Sequence, residues 1–151
     1  MKKLLTALMI TVLSSAATFA NTNPVNEKVL KTFNAEFTTA SSVTWKEISQ
    51  HGIFRASFIN DDQQYEAFIS EDGDLIATAR TIAKKQLPIE VAASMEKTYG
   101  KNYIDNSIAE INMEGGTAYY VTVITDKATL IVKASLDGSL SVFKKQKSVA
   151  A

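Results

Sequence analysis

Four short segments of alternating apolar and polar residues follow one another between Val43 and Arg80. They read VTWKEISQ, IFRASFIN, QQYEAFIS and DLIATAR. Alternation with a period of two residues predicts strands with one buried face. The dipeptides between them, His51-Gly52, Asp61-Asp62 and Asp72-Gly73, are typical of the tight turns that join antiparallel strands. We therefore predict a four-stranded antiparallel meander in which His51-Gly52 and Asp72-Gly73 each form a two-residue hairpin turn.

An amphipathic helix is predicted ahead of this meander. Val29, Leu30, Phe33 and Phe37 recur at spacings of three and four residues, with polar residues between them. Residues at this spacing share one face of a helix. Asn23-Pro24 is typical of a helix start, because Asn caps the first turn and Pro is tolerated at the first helical position. We therefore expect the helix to begin there and to lie on the apolar face of the meander.

The same order of elements recurs in the second half of the chain. A second helix is predicted after Leu87-Pro88, and its apolar face holds Ile89, Val91, Ala92, Met95 and Tyr99. Four more strand-like segments follow, SIAEINME, TAYYVTVIT, ATLIVKAS and SLSVFKKQK, separated by residues typical of turns.

These two halves predict a tandem repeat. Apolar positions of the two helices are offset by 62 residues, and Asp72-Gly73 and Asp137-Gly138 are offset by 65. One helix on one small sheet buries a single face of each element, so two such units can together form a stable fold. We predict an α+β fold in which each repeat is a helix plus a four-stranded antiparallel sheet, with boundaries at 21–82 and 83–151.

Residues 1–20 are typical of a cleaved secretory signal peptide. Lys2-Lys3 precedes an apolar run that is too short to span a bilayer, and Thr18-Phe19-Ala20 is a small-x-small cleavage site. The remaining 131 residues (151 minus 20) are expected to be periplasmic or secreted, with no membrane span after cleavage.

Composition excludes several classes of function. Without Lys2 and Lys3, 14 basic residues face 16 acidic ones, a net charge of about −2 that gives no general attraction to nucleic acid. The chain has no Cys and a single His, so thiol chemistry and a clustered zinc site are excluded. No residue pattern indicates a catalytic site, and we predict that the protein is not an enzyme, although a site made only of carboxylates stays open.

Aromatic residues of the predicted strands are the candidate partner-binding residues, because exposed aromatic side chains often anchor protein interfaces. They are Trp45, Phe54, Tyr65, Tyr119 and Tyr120. Tyr119 and Tyr120 are adjacent, so in a strand they point to opposite faces. We therefore expect one of them to be exposed or to face a partner.

Acidic turn residues are the candidate metal ligands. Asp61, Asp62, Asp72 and Asp74 could offer oxygen atoms to a hard cation such as calcium. Their spacing does not match a known calcium loop, and the simpler interpretation is that they are solvated turn residues. We predict no other cofactor.

Residues 21–151 also resemble a known family over nearly their whole length. The matching residues are Phe33, Glu36-Phe37, Ala40, Val43, Trp45, Gly52, Ala56 and Phe58, continued by Asp72-Gly73-x-Leu75, Thr78 and Leu87-Pro88-x-x-Val91. This pattern is similar to the PepSY-like, β-lactamase-inhibitor-protein-like family of secreted proteins from Bacteroidetes. Members often carry Pro where this chain has Thr38. The resemblance implies a tandem α+β fold, a periplasmic or secreted location and a binding or inhibitory role, with no catalytic residues to carry over.

Two functional hypotheses follow. The first is a non-enzymatic periplasmic binding module, an inhibitor of or adaptor for another secreted protein whose identity the sequence leaves open. The alternative is an envelope protein that responds to a cation or small ligand. The oligomeric state stays open, because the predicted edge strand at Ser139–Lys147 could pair across a dimer.

Overall fold

The computed structural model describes residues 25–48, 51–100 and 108–147, so the predicted signal peptide at 1–20 lies outside the described residues. The elements in these ranges are α1 (Glu27–Glu36), β1 (Ser41–Ile48), β2 (Ile53–Asn60), β3 (Gln63–Ser70), β4 (Leu75–Ile82), a 3₁₀ turn (Lys84–Gln86), α2 (Ile89–Tyr99), β5 (Ile108–Met113), β6 (Gly116–Ile124), β7 (Ala128–Ser135) and β8 (Leu140–Lys147). None of the helices in the described part is long and apolar enough to cross a membrane.

Two compact units divide the chain between Arg80 and Thr81. This boundary lies two residues before the predicted end of the first repeat at residue 82. Each unit has one helix followed by antiparallel strands in chain order, β1 to β4 in unit 1 and β5 to β8 in unit 2. The α+β class and the antiparallel strands are therefore confirmed, while descent of the units from one duplicated sequence stays a prediction.

The turns of unit 1 depart from prediction at two places, His51-Gly52 and Asp72-Gly73. At the second, residues 71–74 separate β3 from β4, so the connection is longer than the predicted two-residue turn. The turn predicted at Asp61-Asp62 is confirmed: both residues have positive φ (49° and 59°) and join the paired residues Asn60 and Gln63 in a two-residue hairpin. The two-residue turn predicted at His51-Gly52 is wrong. Ile48 pairs with Ile53, so four residues and not two separate the paired ends of β1 and β2 along the chain. The register that pairs Trp45 with Ala56 sets this separation.

Helix α1 begins later than predicted. Asn26 is its N-cap, and the Asn26 side-chain oxygen accepts a hydrogen bond from the backbone N–H of Val29 at 3.0 Å. Asn23-Pro24, the predicted start, lies outside the described residues. Val29 and Phe33 are buried against the sheet, and each such side chain contributes about 1.5–3 kcal/mol by burial. Leu30, predicted on the apolar face, is 36% exposed and lies at the margin of the contact.

Unit 2 repeats the arrangement with a different core. Val91 and Met95 on α2 are buried against the sheet residues Tyr119, Val121, Val123, Val132 and Ala134. Leu87-Pro88 precedes α2 as predicted, since Pro88 occupies the N-cap position. Ile89, however, is 79% exposed. As the first residue of the helix it points away from the sheet, so its placement on the apolar face was wrong.

A matching turn closes the last hairpin of each unit against that unit's helix. The N–H groups of Gly73 and Gly138 donate to the carbonyls of Ser70 and Ser135, each at 2.9 Å. Both glycines have positive φ (93° and 79°). A Cβ on Gly73 would lie 3.2 Å from the carbonyl oxygen of Lys28, and a Cβ on Gly138 would lie 2.9 Å from that of Glu90. Lys28 and Glu90 are each the second residue of their helix.

The sheets differ from the prediction in having buried apolar residues on both faces. Besides the residues that face the helices, the opposite faces hold the buried residues Ile53, Phe68, Ala77 and Ala79 in unit 1 and Ala109, Ile111, Ala118 and Tyr120 in unit 2. Phe68 interrupts the alternation of its segment and is fully buried. The expectation of one apolar and one solvated face is therefore wrong for these strands.

Candidate partner-binding site

Five aromatic rings form a connected group between α1 and the first three strands. We call Phe33, Phe37, Trp45, Phe58 and Tyr65 the aromatic cluster. Phe33 lies at its centre, with ring centroids 5.2 Å from Phe37, 5.0 Å from Trp45 and 5.1 Å from Phe58. Phe58 is a second hub, 4.7 Å from Phe37 and 5.9 Å from Tyr65. The rings of Trp45 and Phe58 meet Phe33 edge to face, a favourable geometry for aromatic pairs.

Local spacing brings these rings together. Phe33 and Phe37 are four residues apart, so they lie on the same side of α1 and its C-terminal end. Phe58 and Tyr65 are directly opposite each other in the β2–β3 pairing and share a face of the sheet. Trp45 pairs with Ala56 and points to that same face. The helix and the sheet therefore fix the rings from two sides.

The aromatic cluster has a buried centre and a partly exposed rim. Phe33 and Phe58 are buried, whereas Phe37, Trp45 and Tyr65 are half-buried. In the described part of the chain β1 pairs with β2 alone, so Trp45 lies on an edge strand. The rim rings keep part of their apolar surface available to a partner while the centre holds them in place.

Polar contacts orient the Tyr65 ring. The Arg80 guanidinium donates to the Tyr65 hydroxyl at 3.2 Å and to the Gln63 side-chain oxygen at 3.0 Å. The same guanidinium lies 5.8 Å from the centroid of the Tyr65 ring, within range of a cation–π interaction. These contacts restrict the Tyr65 side chain before any partner binds.

The structure separates the five predicted partner-binding residues. Trp45 and Tyr65 lie together in the aromatic cluster, while Phe54 is buried in the core behind it. The expectation that Tyr119 or Tyr120 is exposed is wrong, because their exposed fractions are 5% and 2%. Tyr119 and Tyr120 do lie on opposite faces of β6, but both side chains are buried.

Each of these two tyrosines has its own buried surroundings. Tyr119 packs in the core beneath α2. Tyr120 meets the Phe143 ring edge to face, with centroids 5.2 Å apart. Burial raises the pKa of the Tyr120 hydroxyl to about 12, because the phenolate would lose its hydration.

Phe37 is a rim residue of the aromatic cluster that is not among the five predicted partner-binding residues. The sequence did carry a signal for it, since Phe37 follows Phe33 by four residues and ends the apolar face of the helix. Its position on the apolar face predicts that Phe37 lies against the sheet, but not that part of the ring stays exposed. The structure shows that the C-terminal end of α1 reaches the margin of the sheet, where Phe37 is half-buried.

An ion pair lies on the other face of unit 1. An Arg55 guanidinium nitrogen is 3.3 Å from Glu66 Oε1, with about a fifth of each side chain exposed (17% and 21%). The Ser57 hydroxyl donates to the same oxygen at 3.5 Å, and Glu66 Oε2 is buried with no hydrogen-bond partner among the described residues. Burial raises the pKa of the Glu66 carboxyl, against the opposing effects of Arg55 and Ser57. The contacts are those of a half-buried structural ion pair that joins β2 and β3.

The four predicted metal ligands lie in two separate turns. Asp61 accepts a hydrogen bond from Asn60, Asp72 pairs with Lys28 at 3.3 Å between two exposed side chains, and Asp74 accepts one from Ser70. Across the described ranges, no three His, Asp or Glu side chains come together in a group that could hold a metal ion. Calcium binding, and with it the alternative function of a ligand-responsive envelope protein, stays a prediction. A calcium titration followed by thermal melting tests it, because a bound cation raises the melting temperature.

Comparisons with known proteins identify solved structures with this architecture. No protein-family model and no curated protein sequence matches the chain. Among solved structures, a BLIP-like protein of Bacteroides fragilis superposes with a TM-score of 0.72 at 14% identity, covering 87% of this chain and 92% of that one. A DUF2874 family protein of Bacteroides ovatus gives a TM-score of 0.71 at 14% identity, covering 83% and 89%.

A third solved structure has a description that bears on location. A candidate periplasmic protein of Bacteroides eggerthii gives a TM-score of 0.69 at 11% identity, covering 83% of this chain and 90% of that one. At these identities the likeness concerns the fold, and it agrees with the resemblance to β-lactamase-inhibitor-protein-like proteins found in the sequence. The chain therefore has the fold of the BLIP-like and DUF2874 proteins of Bacteroides.

Proposed function

We propose that the protein is a non-enzymatic binding module of the periplasm, or of the secreted fraction, that captures another secreted protein and acts as its inhibitor or adaptor. The observation that carries this proposal is the aromatic cluster, with a buried centre and three half-buried rim residues: Phe37, Trp45 and Tyr65. The BLIP-like and periplasmic descriptions of the structural neighbours support it. The signal peptide and the tandem repeat stand beside it as predictions.

The physical reason is that rigid aromatic rings make efficient anchors. Each aromatic side chain can bury about 150–250 Å² in all, so the exposed parts of three rings leave substantial apolar surface for a partner. Contacts with α1 and the sheet already restrict these rings, so little side-chain freedom remains to be lost on binding. Truncating an anchor of this kind typically costs about 2 kcal/mol or more of binding free energy.

Trp45 offers a direct spectroscopic test, because it is the only Trp in the chain. The full sequence would be expressed with 5-fluorotryptophan and the protein purified from the periplasm, giving a single ¹⁹F resonance. Candidate partners would be isolated from periplasmic extract of the cells that naturally produce the protein, as proteins that copurify or crosslink with it. Each candidate would then be added to the labelled protein. We expect the resonance to shift on addition of the true partner. An unchanged resonance at saturating partner would contradict the assignment of the site.

Matched variants separate binding from folding. Trp45→Leu removes a rim ring, whereas Phe54→Leu removes a ring of similar kind that is buried in the same core. Both should lower the melting temperature, but only Trp45→Leu should weaken partner binding, by about 30-fold for a loss of 2 kcal/mol. Equal losses of binding in both variants would show that the partner responds to stability and not to the rim.

A further inference from the structure

Strand β8 has a free edge. It pairs with β7, and within the described part of the chain no other strand lies beside it. Its eight residues span about 26 Å at the usual rise of a strand. Val142 is 53% exposed and Lys144, Lys145 and Gln146 are also exposed. Unpaired backbone groups along such an edge form a template for an added strand.

The two strands of this hairpin carry charge of one sign, and the one carboxylate of the connecting turn, Asp137, accepts hydrogen bonds from Ser139. Strands β7 and β8 together hold four lysines and no carboxylate: Lys133, Lys144, Lys145 and Lys147. In the turn that precedes β7, Asp126 and Lys127 offset each other. Lys144 and Lys145 have no ion-pair partner among the described residues. An incoming strand would therefore meet a positive edge at Lys144 and Lys145 that no carboxylate of the described residues neutralises.

Neighbouring lysines reach both faces of the sheet. Lys144 pairs with Ile131 and Lys145 with Leu130 in the β7–β8 register, so the two side chains point to opposite faces. The bulge between Ile131 and Val132 ends before this segment, and the pairing is regular from Lys144 to Lys147. Two consecutive acidic residues of an added strand would therefore place one carboxylate near each of the two lysines.

We propose that β8 is a strand-addition site for an extended acidic segment of a partner protein. A second copy of β8 is a poor occupant, because full antiparallel overlap places Lys144 diagonally across from Lys145 of the second copy, within about 7–8 Å. Lysines that discourage pairing between identical edges thus favour a partner of opposite charge. This inference goes beyond the function proposed above, since it concerns unit 2 and holds even if the aromatic cluster binds nothing.

The test uses capped heptapeptides and protein purified after expression of the full sequence. The probes are the acidic strand former TVEEVTV, the basic control TVKKVTV, and two forms of the acidic peptide N-methylated at alternate residues. We expect the acidic peptide to bind at least 10-fold more tightly than the basic one by fluorescence anisotropy. One of the two N-methylated peptides should lose binding and the other should keep it. The reason is that an added strand points only every second N–H group toward β8, so only one methylation pattern blocks the hydrogen bonds.

Charge-reversed variants locate the site. Lys144→Glu combined with Lys145→Glu should invert the preference in favour of the basic peptide. Lys31→Glu combined with Lys97→Glu changes the net charge equally at two exposed helical positions and should leave the preference unchanged. The proposal is overturned by absence of binding at 1 mM acidic peptide, by equal binding of both charges, by binding that survives both methylation patterns, or by inversion in the helical control.

Discussion

Replacing Gly138 by Ala tests how tightly the last turn of unit 2 fits against α2. A Cβ at this position would lie 2.7 Å from Ser94 Oγ and 2.9 Å from the Glu90 carbonyl oxygen, and both distances are shorter than real Cβ contacts. The position also has φ of +79°, which side chains other than glycine rarely adopt. The equivalent Gly73 has φ of +93°, but its nearest atoms would be at 3.2–3.4 Å.

Gly138→Ala and Gly73→Ala should therefore lower the free energy of unfolding by different amounts. Backbone strain at positive φ costs about 1–3 kcal/mol for either variant. Overlap with α2 adds about 1–3 kcal/mol for Gly138→Ala, because the Glu90 carbonyl is backbone and cannot rotate away. We expect Gly138→Ala to lower the free energy of unfolding by about 2–6 kcal/mol and Gly73→Ala by about 1–3 kcal/mol.

Urea unfolding followed by far-UV circular dichroism measures these differences. Gly115→Ala is the control, since no atom lies within 4 Å of its Cβ position and the change should stay within about 0.5 kcal/mol. Ser94→Ala in the Gly138→Ala background removes the nearest atom and should recover part of the loss. The reasoning fails if Gly138→Ala costs no more than Gly73→Ala, or if Ser94→Ala recovers nothing.

Three further predictions concern single side chains. Asn26→Ala should cost about 1 kcal/mol in thermal melts through the lost helix cap, whereas Asn26→Asp keeps the capping oxygen and should cost less. Burial raises the pKa of Glu66, so the folded protein should lose stability as pH rises from 4.5, the unfolded pKa, through the folded pKa. Glu66→Gln should remove this pH dependence. At pH 7 the variant should be as stable as the original protein or more stable, by up to about 1 kcal/mol. A Glu66→Gln variant that is less stable at pH 7 would contradict the expectation that the buried carboxylate is destabilising. The Tyr120 pKa of about 12 lies above the unfolded value of 10.0, so stability should fall between these pH values, and Tyr120→Phe should abolish that part of the fall in urea melts.

Strand order and the positions of the turns could be predicted because they follow from local patterns, whereas the turn lengths at His51-Gly52 and Asp72-Gly73 could not. Alternation with period two defines a strand whatever surrounds it, and Asp61-Asp62 adopts the positive φ angles that a two-residue hairpin requires. The start of α1 could not be chosen in this way, since both Asn23 and Asn26 are good capping residues. A non-local contact supports Asn26, whose side-chain nitrogen donates to the Glu71 carbonyl at 3.0 Å.

Burial was harder to predict than strand position. Adjacency shows that Tyr119 and Tyr120 point to opposite faces, but it does not show whether each face is covered. The answer depends on long-range packing, here the core beneath α2 for Tyr119 and Phe143 for Tyr120. For the same reason the candidate site was half predicted. Trp45 and Tyr65 were identified by residue type, while Phe37 required knowledge of where α1 ends on the sheet.

The two proposed binding surfaces draw on different physical forces, and this difference makes them separable. The aromatic cluster offers apolar area around Trp45, so its binding should depend little on salt. The β8 edge offers the charges of Lys144 and Lys145 with backbone hydrogen bonds, so its binding should weaken as salt screens exposed charges. A partner whose affinity is unchanged between about 0.05 M and 0.5 M salt therefore binds at the aromatic cluster, and one that is released over this range binds at β8.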